Sequence, residues 1–269
     1  MARQEVEGEP AESAGSTLRA GELEVGYIDV GSGVPLVLIH GGEGDRTAYA
    51  TLRAHLGSGI RAISYDQRDS GITVNPPVPY TLGDLGDDVV DLLDALGLQS
   101  AHLLGTSFGG AVAQHAALRH PERVASLTLV ATTPSFALGA DSIDKLLNLS
   151  YGDLRNAVDD YFVTPEGQAR IGARAAQTLV SRDPEQRARR HAAAREHEIR
   201  DLLGEIAAPT LIVHGTEDLL APYAGAVLME QRIPNAELRS IEGGRHAVGM
   251  EFADRIALWA REFLGVTAK

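Results

Sequence analysis

A serine with a glycine two residues away on either side, set where a strand-like run gives way to a helix-like one, leaves a chain few ways to fold. Here the segment is Gly105-Thr-Ser-Phe-Gly-Gly110, entered through Ser100-Ala-His-Leu-Leu-Gly105 and left through Gly110-Ala-Val-Ala-Gln-His-Ala-Ala-Leu-Arg119. A turn this tight puts the serine in a strained backbone conformation, and side chains at the flanking positions would collide with it. The pattern is that of a nucleophile elbow. The serine hydroxyl then projects above the sheet, beside a helix N-terminus that favours negative charge. Taken alone, the same residues also suit a Gly/Ser-rich loop or a phosphate-binding turn.

An activated serine needs a general base, and the base needs an orienting acid. Pro209-Thr-Leu-Ile-Val-His-Gly215 reads as a buried strand followed at once by Thr216-Glu-Asp218. Ala236-Glu-Leu-Arg-Ser-Ile241 reads as another, ending in Glu242-Gly-Gly-Arg-His246. An acid, Glu217 or Asp218, and a histidine, His246, thus each follow the carboxyl end of a strand, where open α/β sheets place their ligands. The chain order Ser, acid, His is that of the elbow-bearing hydrolases.

The rest of the chain predicts an α/β fold, a mostly parallel sheet with helices on both faces. Residues 18–30 read as an opening hairpin with Gly21 and Gly26 near its turns. Residues 35–40, 61–65 and 124–131 read as buried strands, and 47–56 as a helix. Thr81 caps a helix over 82–96, with Asp84 completing a capping box and Leu85, Val89, Leu92, Leu93 and Leu96 on one face. From 134 to 205 the pattern turns wholly helical, divided at Gly139, Gly152, Gly167, Pro165 and Pro184 into about four short helices. The arginine-rich stretch 182–200 reads as a solvated face.

Composition narrows the function. A length of 269 residues with 44% hydrophobic content fits one large core. No apolar run approaches the length of a membrane span, and residues 1–17 read as a disordered leader rather than a signal peptide. The absence of cysteine excludes disulfides and thiol catalysis. A formal charge of −13 disfavours nucleic acid and anionic membranes as partners. The expected setting is cytoplasmic and the expected partner a small-molecule substrate; oligomeric state is not encoded legibly. No group of His, Asp and Glu has zinc-ligand spacing, so no metal is expected, and hydrolysis by an activated serine requires no cofactor.

Over about residues 23–264 the chain resembles the α/β-hydrolase fold superfamily, in particular its cap-bearing serine hydrolases. The motifs are His40-Gly-Gly-Glu-Gly44, Tyr65-Asp-Gln-Arg-Asp-Ser-Gly71, Gly105-Thr-Ser-Phe-Gly109, His214-Gly-Thr-Glu-Asp218 and Gly244-Arg-His246. The resemblance implies an eight-stranded sheet, a core of residues 18–134 and 206–269, and a small helical cap over 135–205. It implies Ser107 as nucleophile, His246 as base and Asp218 rather than Glu217 as acid. The oxyanion donors it implies are the backbone N–H groups of Gly42 and Phe108. Phe136, Tyr151, Tyr161 and Phe162 become candidates for the pocket ceiling. His40 is expected to support the oxyanion loop, His214 to satisfy local carbonyls, and Asp66 and Arg68 to form a structural ion pair.

The first two motifs resemble those of proline iminopeptidases, with Glu43 in place of proline and Asp69 in place of glycine. The Arg68-Asp69 arrangement is closer to that of the aclacinomycin methylesterase-like group. The expected reaction is cleavage of a small or medium apolar carboxylic ester or lactone through an acyl-enzyme. An N-terminal proline amide or a C–C bond is the alternative with the same triad. A non-catalytic ligand-binding or accessory protein on this scaffold is the alternative of another class.

Overall fold

The computed structural model describes residues 15–142, 149, 152–153 and 161–266. Its centre is an eight-stranded sheet in the order β1-β2-β4-β3-β5-β6-β7-β8. The strands are β1 (Ser16–Ala20), β2 (Leu23–Gly31), β3 (Gly33–Ile39), β4 (Gly59–Tyr65), β5 (Ala101–Thr106), β6 (Val124–Val130), β7 (Thr210–Gly215) and β8 (Ala236–Ile241). β2 runs antiparallel to both its neighbours, and every pairing from β4 to β8 is parallel. The hairpin begins at Ser16, so the expected leader 1–17 overlaps β1; residues 1–14 lie outside those described. Gly26, expected near a turn, instead lies mid-strand, paired with Thr17.

The strands build two cores because alternate residues point to opposite faces. Val37, Ile39, Leu103, Leu129 and Ile212 pack with helices α2 (Leu82–Ala95) and α3 (Phe108–Arg119). Leu36, Leu38, Leu104, Val130 and Val213 pack on the other face with α1 (Ala50–Leu56) and the C-terminal helix Ala253–Phe263. Each fully buried side chain of this kind contributes roughly 1.5–3 kcal/mol. The expected capping box is present: Thr81 Oγ1 accepts from the Asp84 N–H, and the Asp84 carboxylate accepts from the Thr81 N–H at 2.7 Å. The expected helix over 47–56 begins one residue early as a 3-10 turn, Arg46–Tyr49, capped by Asp45.

Between β6 and β7 the chain makes a long helical excursion. Its described elements are the 3-10 turn Phe136–Gly139, α4 (Pro165–Gln177), α5 (Pro184–Arg195) and the 3-10 turn Arg200–Glu205. Pro165 and Pro184 open helices rather than merely breaking them, as suits a residue whose missing N–H is unneeded in a first turn. Gly167, expected as a divider, is inside α4. The two ends meet in an antiparallel bridge, Ser135 with Glu198, and the Ile199 N–H donates to the Pro134 carbonyl at 3.0 Å. Among the described residues no helix is long and apolar enough to cross a membrane.

Candidate active site

Ser107 sits between β5 and α3 with φ 54° and ψ −119°, the strained conformation that the glycine spacing predicts. A Cβ on Gly109 would lie 2.0 Å from the Ile39 carbonyl oxygen, and one on Gly105 2.3 Å from that of Gly109. Both are backbone collisions that no rotamer relieves. The start of α3 therefore presses directly on the end of β3. This contact brings the serine beside the loop that follows β3.

Asp218 and His246 arrive from the turns after β7 and β8. Asp218 Oδ1 accepts from the N–H groups of Leu220 and Ala221 at 2.8 and 2.9 Å, which leaves Oδ2 for His246 Nδ1 at 2.8 Å. Burial alone would raise the Asp218 carboxyl, but the charge and hydrogen bond of His246, then His214, hold it below the ordinary carboxylate value. An ionised carboxylate only accepts, so Nδ1 of His246 carries the proton. Nε2 then accepts from the Ser107 hydroxyl at 2.9 Å. Glu217, the other acid in the motif, is exposed. His214 donates from Nε2 to the Ala221 carbonyl at 2.7 Å, satisfying a local carbonyl as expected.

Gly42 and Phe108 both border the cavity above Ser107. Among the described residues neither backbone N–H has an acceptor. His40 braces this loop. Its Nε2 accepts from the Gln67 N–H at 3.3 Å, so Nδ1 is the protonated nitrogen, donating to the Gly41 carbonyl at 2.8 Å. That carbonyl belongs to the peptide whose N–H is Gly42's. Burial, then the charge of Arg190, pushes His40 well below its ordinary value, keeping it neutral.

The cavity has a volume of about 230 Å³ and a mainly apolar wall. Phe136 and Phe162 line it as expected, and Phe162 meets the His246 ring edge-on with centroids 5.6 Å apart. Tyr161 does not line it. It packs in a small cluster with Leu149 and with Leu220, Phe162 and Leu179, the three that take the lining positions. Tyr151 lies outside the described residues. Leu220 and Met250 line the cavity without having been singled out in the sequence. Their signal was adjacency, one following the acid and the other the base.

Two expectations about charge are overturned. Asp66 and Arg68 do not pair. Asp66 accepts from Arg46 at 2.6 Å and from the Ile72 N–H at 2.8 Å, whereas Arg68 turns to Asp88 at 2.7 Å and Glu22 at 2.7 Å. The stretch 182–200 is not simply a solvated face. Arg182 is buried and donates to the carbonyls of Asp69 and Gly44, the Ser70 hydroxyl and the Glu43 carboxylate, at 2.6–3.1 Å. Burial, then the nearby charge of Arg190, lowers its pKa to about 10. Arg189 pairs with Asp69 at 2.8 Å, and Val180 donates its N–H to the Glu43 carbonyl at 2.8 Å. The excursion thus grips residues 41–44 and 68–70, more than a hundred positions away in sequence.

With this geometry in place, kinship is clear. The family model for the alpha/beta hydrolase fold matches residues 34–170, just over half of the chain. A 2-hydroxymuconate semialdehyde hydrolase of Pseudomonas sp. (strain CF600) is 31% identical over 273 aligned residues, covering 93% of each chain. The solved enol-lactonase of Burkholderia xenovorans LB400 superposes with a TM-score of 0.83 at 26% identity, covering 93% of this chain and all of that one. A thermophilic esterase from Thermogutta terrifontis gives 0.82 at 25% identity, over 93% of this chain and 98% of its own. The chain belongs to the alpha/beta hydrolase fold family, and it is a hydrolase.

Proposed function

We infer that the chain is a serine hydrolase that cleaves a small or medium apolar carboxylic ester or lactone. Ser107 is its nucleophile, His246 its base, and Asp218 the acid that orients and supports His246. As Ser107 Oγ adds to the substrate carbonyl, its proton passes to His246 Nε2 and the carbonyl oxygen becomes an oxyanion. The N–H groups of Gly42 and Phe108 receive that charge. The oxyanion collapses, the alkoxide leaves with the proton from His246, and an acyl-enzyme remains. Water, giving its proton to His246, attacks the acyl carbon and releases the acid and a restored Ser107. Residues 135–205 act as a cap on a core of 18–134 and 206–269, and supply Phe136 and Phe162 to the substrate's apolar portion.

The observation that carries this reading is the continuous hydrogen-bond relay from Ser107 through His246 to Asp218, opening on an apolar cavity. The same observation weighs against a non-catalytic binding role, which needs no such relay. A peptidase for N-terminal proline lacks support. Among the described residues the only carboxylate lining the cavity is Glu43, which belongs to the loop after β3 and already faces Arg182 at 3.1 Å. A C–C bond hydrolase keeps support from the relative named for 2-hydroxymuconate semialdehyde.

The test is intact-mass analysis after treatment with a fluorophosphonate, for wild type and Ser107→Ala. One adduct on wild type and none on the variant is expected. Kinetics on p-nitrophenyl esters, a simple lactone and 2-hydroxymuconate semialdehyde then separate the two bond types. A folded wild type that takes no label overturns the serine mechanism, and turnover of the semialdehyde alone moves the assignment to C–C cleavage.

A further inference from the structure

One side chain touches both oxyanion residues from behind. Arg190, in α5, is 3% exposed. Its Nε donates to the Gly42 carbonyl at 3.1 Å, and its Nη1 to the Arg68 carbonyl at 2.8 Å. The guanidinium carbon stands 4.5 Å from the centre of the Phe108 ring. Its Nη2 is buried without a hydrogen-bond partner. Among the described residues no acid forms an ion pair with Arg190; Glu43, which feels its charge, is paired with Arg182, and Asp69 is paired with Arg189. A buried cation without a counter-ion costs several kcal/mol. A brace alone does not need that charge; a neutral donor would hold the Gly42 carbonyl more cheaply.

We propose that Arg190 is a positioning residue for the oxyanion hole, holding Gly42 and Phe108 together and keeping a fixed positive charge behind them. This rests on the serine-hydrolase reading above. The hydrogen bond fixes the orientation of the loop residue that supplies one donor. The stack against Phe108 fixes the residue that supplies the other. In a site shielded from water, a cation that no acid pairs directly gains a further negative charge in its field when the oxyanion forms. Charge that appears only along the reaction path affects turnover rather than substrate affinity. The cation comes from the excursion between β6 and β7, so that segment contributes to catalysis as well as to the cavity wall.

The test compares wild type, Arg190→Met, Arg190→Lys and Arg119→Gln on an uncharged p-nitrophenyl ester. Inhibition by a trifluoromethyl ketone, which Ser107 converts to a bound oxyanion, is measured alongside. Removing a direct oxyanion donor costs about 100- to 1,000-fold, so the indirect Arg190→Met should lower kcat by about 10- to 100-fold, with KM changed less than about threefold. Ketone affinity should fall in parallel with kcat. Arg190→Lys retains the charge but not the planar stack or the two-carbonyl reach, and should lose less, about three- to tenfold in kcat. Arg119→Gln, which removes an exposed pair with Asp87 at the far end of α3, should stay within about twofold.

Wild-type kcat in Arg190→Met, unchanged ketone affinity, or an equal loss in Arg119→Gln would each overturn the proposal. If Arg190→Met does not fold, wild-type kcat in Arg190→Lys does the same. An arginine that only bound an anionic substrate group would leave kcat on the neutral ester intact. A wild type that resists fluorophosphonate defeats the parent mechanism; a labelled wild type with indifferent Arg190 variants defeats this proposal alone.

Discussion

Two walls of the same cavity are held in place by opposite means. The elbow is fixed by backbone against backbone, with α3 pressed so close on β3 that Gly105 and Gly109 admit no Cβ. The loop 41–44 is fixed by side chains from far along the chain, chiefly Arg182 and Arg190, and by the ring of His40. Steric fixation is all or none, because a backbone collision has no partial relief. Charged fixation is graded, because each hydrogen bond contributes separately and can be tuned. A family that varies its substrates has reason to keep the first kind under the nucleophile and the second kind around the substrate.

The sharpest break in that contrast comes from Gly109→Ala. It should destabilise the fold by about 3 kcal/mol or more, read as a lower denaturant midpoint, since overpacking against backbone has no side-chain escape. A near-neutral result would mean that the elbow yields as the loop does. Next is Arg182→Met, which strips four hydrogen bonds from the loops while leaving the sheet untouched. A fall in kcat of about tenfold in a cooperatively folded protein is expected, as misplacing a catalytic loop by a fraction of an ångström suffices. Loss of folding without any kcat change in the folded fraction would place Arg182 with the steric wall.

The smallest effect lies where α3 meets the excursion that holds the loop. His115 of α3 faces His197 of the excursion at 3.3 Å, and His197 donates to the Thr133 carbonyl at 2.9 Å. Burial lowers both to about 4 from the ordinary 6.5, so both stay neutral in the folded protein well below neutral pH. The unfolded chain takes up those protons near pH 6.5. Stability is therefore present above that value and lost as pH falls from 6.5 towards 4. Between pH 7 and 5.5 the loss should be about 1 kcal/mol per histidine, measured by urea unfolding. His115→Asn should flatten the slope, and an unchanged slope would mean the joint does not titrate with folding.

What was legible in the sequence follows the same division. The elbow, the Thr81 cap and the strand-end positions of Asp218 and His246 are written in short segments, because local backbone rules dictate them. The arginines escape a sequence reading because helical spacing in 182–200 says which residues share a face, not what that face meets. Arg190 and Gly42 are 148 positions apart, and no local pattern links them. Asp66 and Arg68 stand two positions apart, yet each pairs with a different partner. Asp69, at φ 56°, turns the chain between them and Gly71, and sends Arg68 towards α2. Tyr161 and Phe162 are equivalent aromatics in the sequence and share one cluster around Leu220, yet only Phe162 lines the cavity and meets the His246 ring.

The bridge between Ser135 and Glu198 has a consequence for descent. Because the excursion departs and returns at one paired point, everything between those residues can be lengthened, shortened or replaced without moving β6 or β7. Such a segment is an exchangeable cassette, and recombination at its closed neck can graft a new specificity onto an old reaction. If Arg190 acts as proposed, the condition on any incoming cassette is narrow: a cation at the back of Gly42.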